Sequence, residues 1–197
     1  MIKAVVFDCF GVLLADVLLA RRQSIAQANP AAAQALSDII KASNRGMTTR
    51  EESAKQMADI MQMSHQDILA MADSGEVKNE LLMEYMRELC LTHKLALVSN
   101  VRSRERIEQR FDPGELDSLF DVVIASGDVG VVKPERQIYE MAAEALGVST
   151  EECVMVDDIQ EYCDGAIAAG MQAIKFVSTE QAIADIRGLI DSQSESY

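Results

Sequence analysis

The chain reads as an α/β protein, a doubly wound parallel sheet core carrying a small all-helical insert. Three features predict that class. Short apolar runs without a helical period recur, helical spacing follows most of them, and residues 15–90 carry helix signals alone.

The first run, residues 2–7 (IKAVVF), stops at Asp8 and fits a buried central strand. Similar runs follow at 95–99 (LALVS), 122–125 (VVIA), 153–156 (CVMV) and 173–177 (AIKFV). Helical segments are expected at 102–110, 135–146 and 161–169, the last meeting Gly170 as a C-cap. Strand and helix alternating at this spacing call for a parallel sheet covered on both faces. In the insert, Pro30 after Asn29 is placed as an N1 proline. Thr48 or Thr49 with Glu51 or Glu52 makes a capping box, and Ser64 with Asp67 offers a further cap. The expected division is an α/β core over 1–14 and 76–197 with a helical insert over 15–75, and a helix over 77–91 leading back to the sheet. Methionines gather in and around the insert (Met47, Met57, Met61, Met63, Met71, Met83, Met86), and a loosely packed helical core accounts for them better than an apolar groove.

At 197 residues, 49% hydrophobic and 25% charged, the composition is that of a globular protein. The net charge of −14 argues against nucleic acid, whose backbone needs clustered Lys and Arg. The longest basic cluster, Arg102, Arg104, Arg106 and Arg110, is interrupted by Glu105 and Glu108 and is expected to be a solvated helix face. No run resembles a signal peptide or a membrane span. Cys9, Cys90, Cys153 and Cys163 lack CxxC spacing, so a reducing cytoplasm is the simplest setting and packing their expected role. His65 and His93 fall outside every candidate site, and residues 191–197 have no apolar anchor before Tyr197.

Ligands of parallel sheets lie outside the carboxyl ends of the strands. Those ends carry Asp8, then Ser99-Asn100, then residues 126–130 leading to Lys133-Pro134, then Asp157-Asp158. Carboxylates from two strands can hold Mg²⁺, and Asp8 could act as a nucleophile forming an aspartyl intermediate. A metal and Lys133 would offset the repulsion between that carboxylate and a phosphoryl group, and Ser99 and Asn100 could donate to phosphoryl oxygens.

FDCFGVL, LVSN, GVVKPERQIY and VMVDDIQEYCDGAIAAGM resemble, in order, the four motifs of the haloacid dehalogenase superfamily, over nearly the whole chain. The resemblance implies a Rossmann-like core whose helical insert is a cap closing over the active site. It implies Asp8 as nucleophile and metal ligand, the backbone carbonyl of Phe10 as a second ligand, and Ser99 as phosphate binder. It further implies that Lys133 balances charge and that Asp157 and Asp158 hold Mg²⁺. The family's phosphatases usually carry a second Asp where Phe10 stands, as general acid and base, a contribution of about 10²–10⁴-fold. Its dehalogenases also lack that Asp and share the Ser-Asn pair, but they need no metal and generally lack the paired acids. Asp157-Asp158 has no task in displacing halide from carbon. The resemblance therefore implies a Mg²⁺-dependent phosphatase for a small phosphorylated metabolite such as a sugar phosphate. A metal-free 2-haloacid dehalogenase and a non-catalytic phospholigand binder are the alternatives. Asp16 is a second candidate proton source, although an exposed acid at a helix start is its plainer reading.

Overall fold

The computed structural model describes residues 1–15, 18–73 and 77–192. Five strands, β1 (Ala4–Phe7), β2 (Lys94–Ser99), β3 (Val122–Ala125), β4 (Cys153–Asp157) and β5 (Gln172–Lys175), pair in parallel in the order β3-β2-β1-β4-β5. The sheet thus grows outward from β1 in both directions, and its crossover helices fall on both faces.

Between β1 and β2 lie α1 (Leu19–Ala28), α2 (Pro30–Asn44), α3 (Arg50–Met61) and α4 (His65–Asp73). Asn29 caps α2 ahead of Pro30, Thr49 and Glu52 form the capping box of α3, and the Ser64 hydroxyl accepts from Asp67 N at the start of α4. These four helices pack on one another around Leu36, Ala54, Met61 and Ile68, apart from the sheet. The helix expected over 77–91 is shorter: α5 runs Glu80–Leu89. After β2 come α6 (Arg104–Glu108) and α7 (Glu115–Leu119). Ser126–Val129 is a one-turn helix, α8. Beyond it lie α9 (Arg136–Leu146), α10 (Gln160–Ala168) and α11 (Thr179–Asp191). Asp191 closes α11; the rest of the tail, 193–197, lies outside the described residues.

Alternate residues of the central strands serve opposite faces. Val5, Phe7, Leu95 and Leu97 pack with Leu82, Met83 and Met86 of α5 and Ile186 of α11. Ala4, Val6, Ala96 and Val98 pack with Ile138, Tyr139 and Ala142 of α9 and Ala166 of α10. Met83 and Met86 are therefore sheet core, while Met57 and Met61 belong to the helical lobe. Three of the four cysteines are buried, all are free thiols, and among the described residues no helix is long and apolar enough to cross a membrane.

Asn79 joins three segments. Its Oδ1 caps α5 by accepting from Leu82 N at 3.3 Å, and its Nδ2 donates to the Val12 carbonyl at 3.0 Å and to Thr179 Oγ1 at 2.8 Å. Asn79→Ala removes the cap and leaves the Val12 carbonyl unpaired, so a loss of about 2–3 kcal/mol is expected in urea denaturation. A loss below roughly 0.5 kcal/mol would show that the three segments hold together without it.

Candidate active site

Strand register assembles the site. Phe7 is level with Leu97 on β2 and with Val156 on β4, and Asp8 N donates to the Val156 carbonyl at 2.9 Å. The next residues, Asp8 and Asp157, are thereby neighbours at the carboxyl edge. Between them lies the Lys133 ammonium, 2.7 Å from Asp8 Oδ1 and 2.6 Å from Asp157 Oδ2, with its side chain fully enclosed. Asn100 grips the Lys133 main chain from both sides: Lys133 N donates to Oδ1, and Nδ2 donates to the Lys133 carbonyl, each at 2.8 Å. The Asn100 amide thus positions the lysine through Oδ1 and one N–H of Nδ2. On the other side α10 approaches so closely that a Cβ at Gly165 would lie 2.7 Å from Pro134 Cβ. The Tyr162 ring stands 5.1 Å from Lys133 Nζ, and the Tyr162 carbonyl accepts from the Tyr139 hydroxyl at 2.7 Å. Ser99 is buried at the end of β2.

The two motif acids are in different states. Asp157 has a partner on each oxygen, Oδ1 accepting from Ile159 N at 2.9 Å and Oδ2 from Lys133 at 2.6 Å. Asp158 Oδ1 is buried with no hydrogen-bond partner among the described residues. Space for its carboxylate exists because residue 11 is glycine: at φ 107° a Cβ there would fall 2.5 Å from Asp158 Cγ. Asp8, Asp157 and Asp158 each offer an oxygen within 4.8 Å of the others. A buried, unpaired carboxylate oxygen beside two more carboxylates is costly alone, and an all-oxygen donor set fits a hard divalent cation such as Mg²⁺.

Burial, chiefly, pushes the Asp8 carboxyl up to about 7; Lys133 opposes this and Asp157 and Asp158 add to it. Asp158 is also raised, by burial and then by Asp157. For Lys133, burial works against the charged form, but Asp157 and Asp8 outweigh it and hold the ammonium above its ordinary range.

The sequence reading missed three residues here. Tyr162 was legible in principle, lying one helical turn beyond Asp158. Arg22 comes from α1 and feels Asp158 and Tyr162 electrostatically. Arg106 stacks its guanidinium 5.2 Å from the centre of the Phe10 ring and donates to the Ala72 carbonyl at 2.6 Å. Arg110 bonds the same carbonyl, and Arg104 pairs with Glu108 and Asp117. Half of the basic cluster therefore bridges lobe and core, where a solvated face was expected: Arg106 on α6 and Arg110 just beyond it both reach the Ala72 carbonyl in the last turn of α4. Asp16 lies outside the described residues. His93, paired with Thr92, precedes β2 at the opposite end of the sheet.

A family model for haloacid dehalogenase-like hydrolases matches residues 2–170. The chain belongs to that family. Among curated relatives, it is 48% identical over 58 residues to phosphatase MT3486 of Mycobacterium tuberculosis, 29% of this chain and 27% of that one. It is 43% identical over 56 residues to a phosphoserine phosphatase of Thermus thermophilus, 28% of this chain and 22% of that one. The matches thus span about a quarter of these relatives' length. A family enzyme of Bacteroides thetaiotaomicron shares the fold at TM-score 0.72 with 19% identity, covering 96% of this chain and 98% of that one; it has also been solved with magnesium and inorganic phosphate. L-2-haloacid dehalogenase of Xanthobacter autotrophicus shares it at TM-score 0.64 with 22% identity, covering 97% and 83%.

The raised Asp8 carboxyl has a measurable consequence. A folded-state value near 7 against 3.8 means that the neutral form favours folding, so this stabilisation is complete below about pH 4 and is lost as pH rises through about 7. In chelator, wild type is expected to lose about 1–2 kcal/mol relative to Asp8→Asn between roughly pH 6 and pH 8 in urea denaturation, and saturating Mg²⁺ should abolish the difference. Equal pH dependence in the two proteins would mean that Asp8 is ionised throughout.

Proposed function

We propose that the chain is a Mg²⁺-dependent phosphomonoesterase acting on a small phosphorylated metabolite, with residues 15–75 as a cap over a core of 1–14 and 76–197. The observation that carries this reading is the unpaired Asp158 oxygen beside Asp8 and a lysine-paired Asp157: one cation is built in, and the donor set for a second is present. The relatives named as phosphatases support it.

In this reading Asp8, Asp158, Asp157 and the Phe10 carbonyl hold Mg²⁺, which when bound supplies positive charge for the phosphoryl oxygens. Asp8 attacks phosphorus through a carboxylate oxygen; an O–P bond forms, the ester P–O bond breaks, and an aspartyl phosphate remains. Water then attacks that phosphorus, releasing inorganic phosphate and restoring the carboxylate. Lys133, fixed by Asn100, favours the ionised form of Asp8 and orients it, and Ser99 donates to the transferring group. Phe10 has no proton to give, so the leaving oxygen takes one from water or from the substrate itself.

A second reading draws on Phe10, which lacks the acid–base function of the phosphatases: dehalogenation of a 2-haloacid by Asp8 without metal. One experiment separates the two. Phosphate release from a panel of phosphomonoesters should require Mg²⁺, vanish in chelator and fall by at least roughly 10³-fold in Asp8→Asn. Chloride release from 2-chloropropionate in chelator, without any phosphate release, would establish the second reading instead.

A further inference from the structure

The first turn of α10 sets a tyrosine against the carboxylate cluster. Building on the phosphatase reading, we infer that Tyr162 is a substrate-binding residue whose phenol donates a hydrogen bond to an oxygen of the transferring phosphoryl group.

Three contacts fix where this side chain lies. From behind, the Tyr139 hydroxyl of α9 donates to the Tyr162 carbonyl at 2.7 Å and holds its main chain. One turn on, Gly165 lets α10 close against Pro134, the residue after Lys133, with room for no Cβ between them. The ring centre then stands 5.1 Å from Lys133 Nζ, which is itself 2.7 Å from Asp8 Oδ1. At the end of the ring, the hydroxyl is hydrogen-bonded to the Asn100 side chain. Lys133, Asp157 and Asp8 all act on it electrostatically, and it acts in turn on Arg22 of α1.

Asn100 and Arg22 also line a cavity of about 240 Å³. Its walls come from the lobe, Leu36 on α2 and Met57 on α3 among them, and its floor from the core, with Phe10 and Asn100. The phenol oxygen thus lies where the cluster that would receive a phosphoryl group meets the space for the rest of an ester.

The chemistry of its neighbours makes this phenol a donor. Asn100 has committed Oδ1 to Lys133 N and one N–H of Nδ2 to the Lys133 carbonyl. Its other N–H, given to the phenol oxygen, leaves the phenol's own proton for a ligand and polarises it toward donation. Burial, chiefly, lifts the hydroxyl above its ordinary range, so it stays protonated at neutral pH. A phosphoryl group spreads its charge over three peripheral oxygens. Lys133 has already given two N–H groups to Asp8 and Asp157, so a donor in addition to Ser99 has a place there. The donation expected of Asn100 is in this way passed on through Tyr162.

Tyr162→Phe keeps the ring over the ammonium and removes only the hydroxyl. Inorganic phosphate, titrated calorimetrically into the full chain with Mg²⁺, should bind roughly 10–100-fold more weakly to this variant than to wild type. For 4-nitrophenyl phosphate and for a primary alkyl phosphate, kcat/KM should fall by one common factor, because the bond is to the transferring group. Equal phosphate affinity in the two proteins, or a wild type that binds no phosphate, would overturn the inference. So would a loss confined to the alkyl ester, which marks a proton donor to the leaving oxygen. If the affinity difference is present while no ester is hydrolysed, the Tyr162 assignment stands and the phosphatase reading falls. If both proteins hydrolyse esters equally well, the phosphatase reading stands and the Tyr162 assignment falls.

Discussion

Two carboxylates brought together at a dry sheet edge repel each other, and the site depends on the single ammonium that resolves this. Lys133 lies between Asp8 and Asp157 with no contact with water. Burying each such charge costs several kcal/mol, recovered only where geometry and remaining hydrogen bonds are good. The surroundings meet that condition. Asn100 fixes the lysine's main chain, Gly165 lets α10 close over the following proline, and the Tyr162 ring covers the ammonium. Asp158 is left out of this arrangement. It turns toward Gly11, so the protein satisfies one acid with its own cation and leaves the next to be satisfied from outside.

What was legible in the sequence follows from which signals are local. Asp8, Ser99 and Asp157-Asp158 each end an apolar run, and a strand end is visible without knowing what it pairs with. Lys133 was found through its place before Pro134 and its motif. The insert's caps at Asn29, Thr49 and Ser64 were readable because capping acts over three residues. Helix α1 was not: it has no acid in its first turn, no side-chain cap and a weakly segregated LARRQSIAQA pattern. For α11 the signal was present, a capping box of Ser178 and Gln181, but it lay beyond the last motif. Arg22 and Arg106 were hidden for a different reason. Nothing in an arginine's neighbours along the chain says whether its guanidinium meets water or a ring brought from far away.

The lobe and core are held together by more than the crossing at Ala15 and Val77, where Ala15 N donates to the Val77 carbonyl at 3.1 Å. Arg106 and Arg110 take the end of α4. Ser126 Oγ donates to the Asn44 carbonyl at 2.6 Å, Arg45 pairs with Glu135, and a Cβ at Gly46 would lie 3.1 Å from the Gly127 carbonyl. The floor and walls of the cavity therefore come from separate parts of the chain, and their spacing is set by these attachments rather than by either part alone.

The central place of β1 also orders the assembly of the molecule. Ala4 must find Lys94 on one side and Cys153 on the other, so the strand that leads into Asp8 closes the longest loops in the sheet. Such non-local pairing is slow compared with helix packing between near neighbours, and the four-helix lobe is made only of the latter. During synthesis the lobe can condense while the β4 side of β1 still waits, its backbone N–H and C=O groups unpaired, for β4 to leave the ribosome. Until then Asp8 and Asp157 cannot meet, and the three-carboxylate cluster is among the last features of the molecule to form.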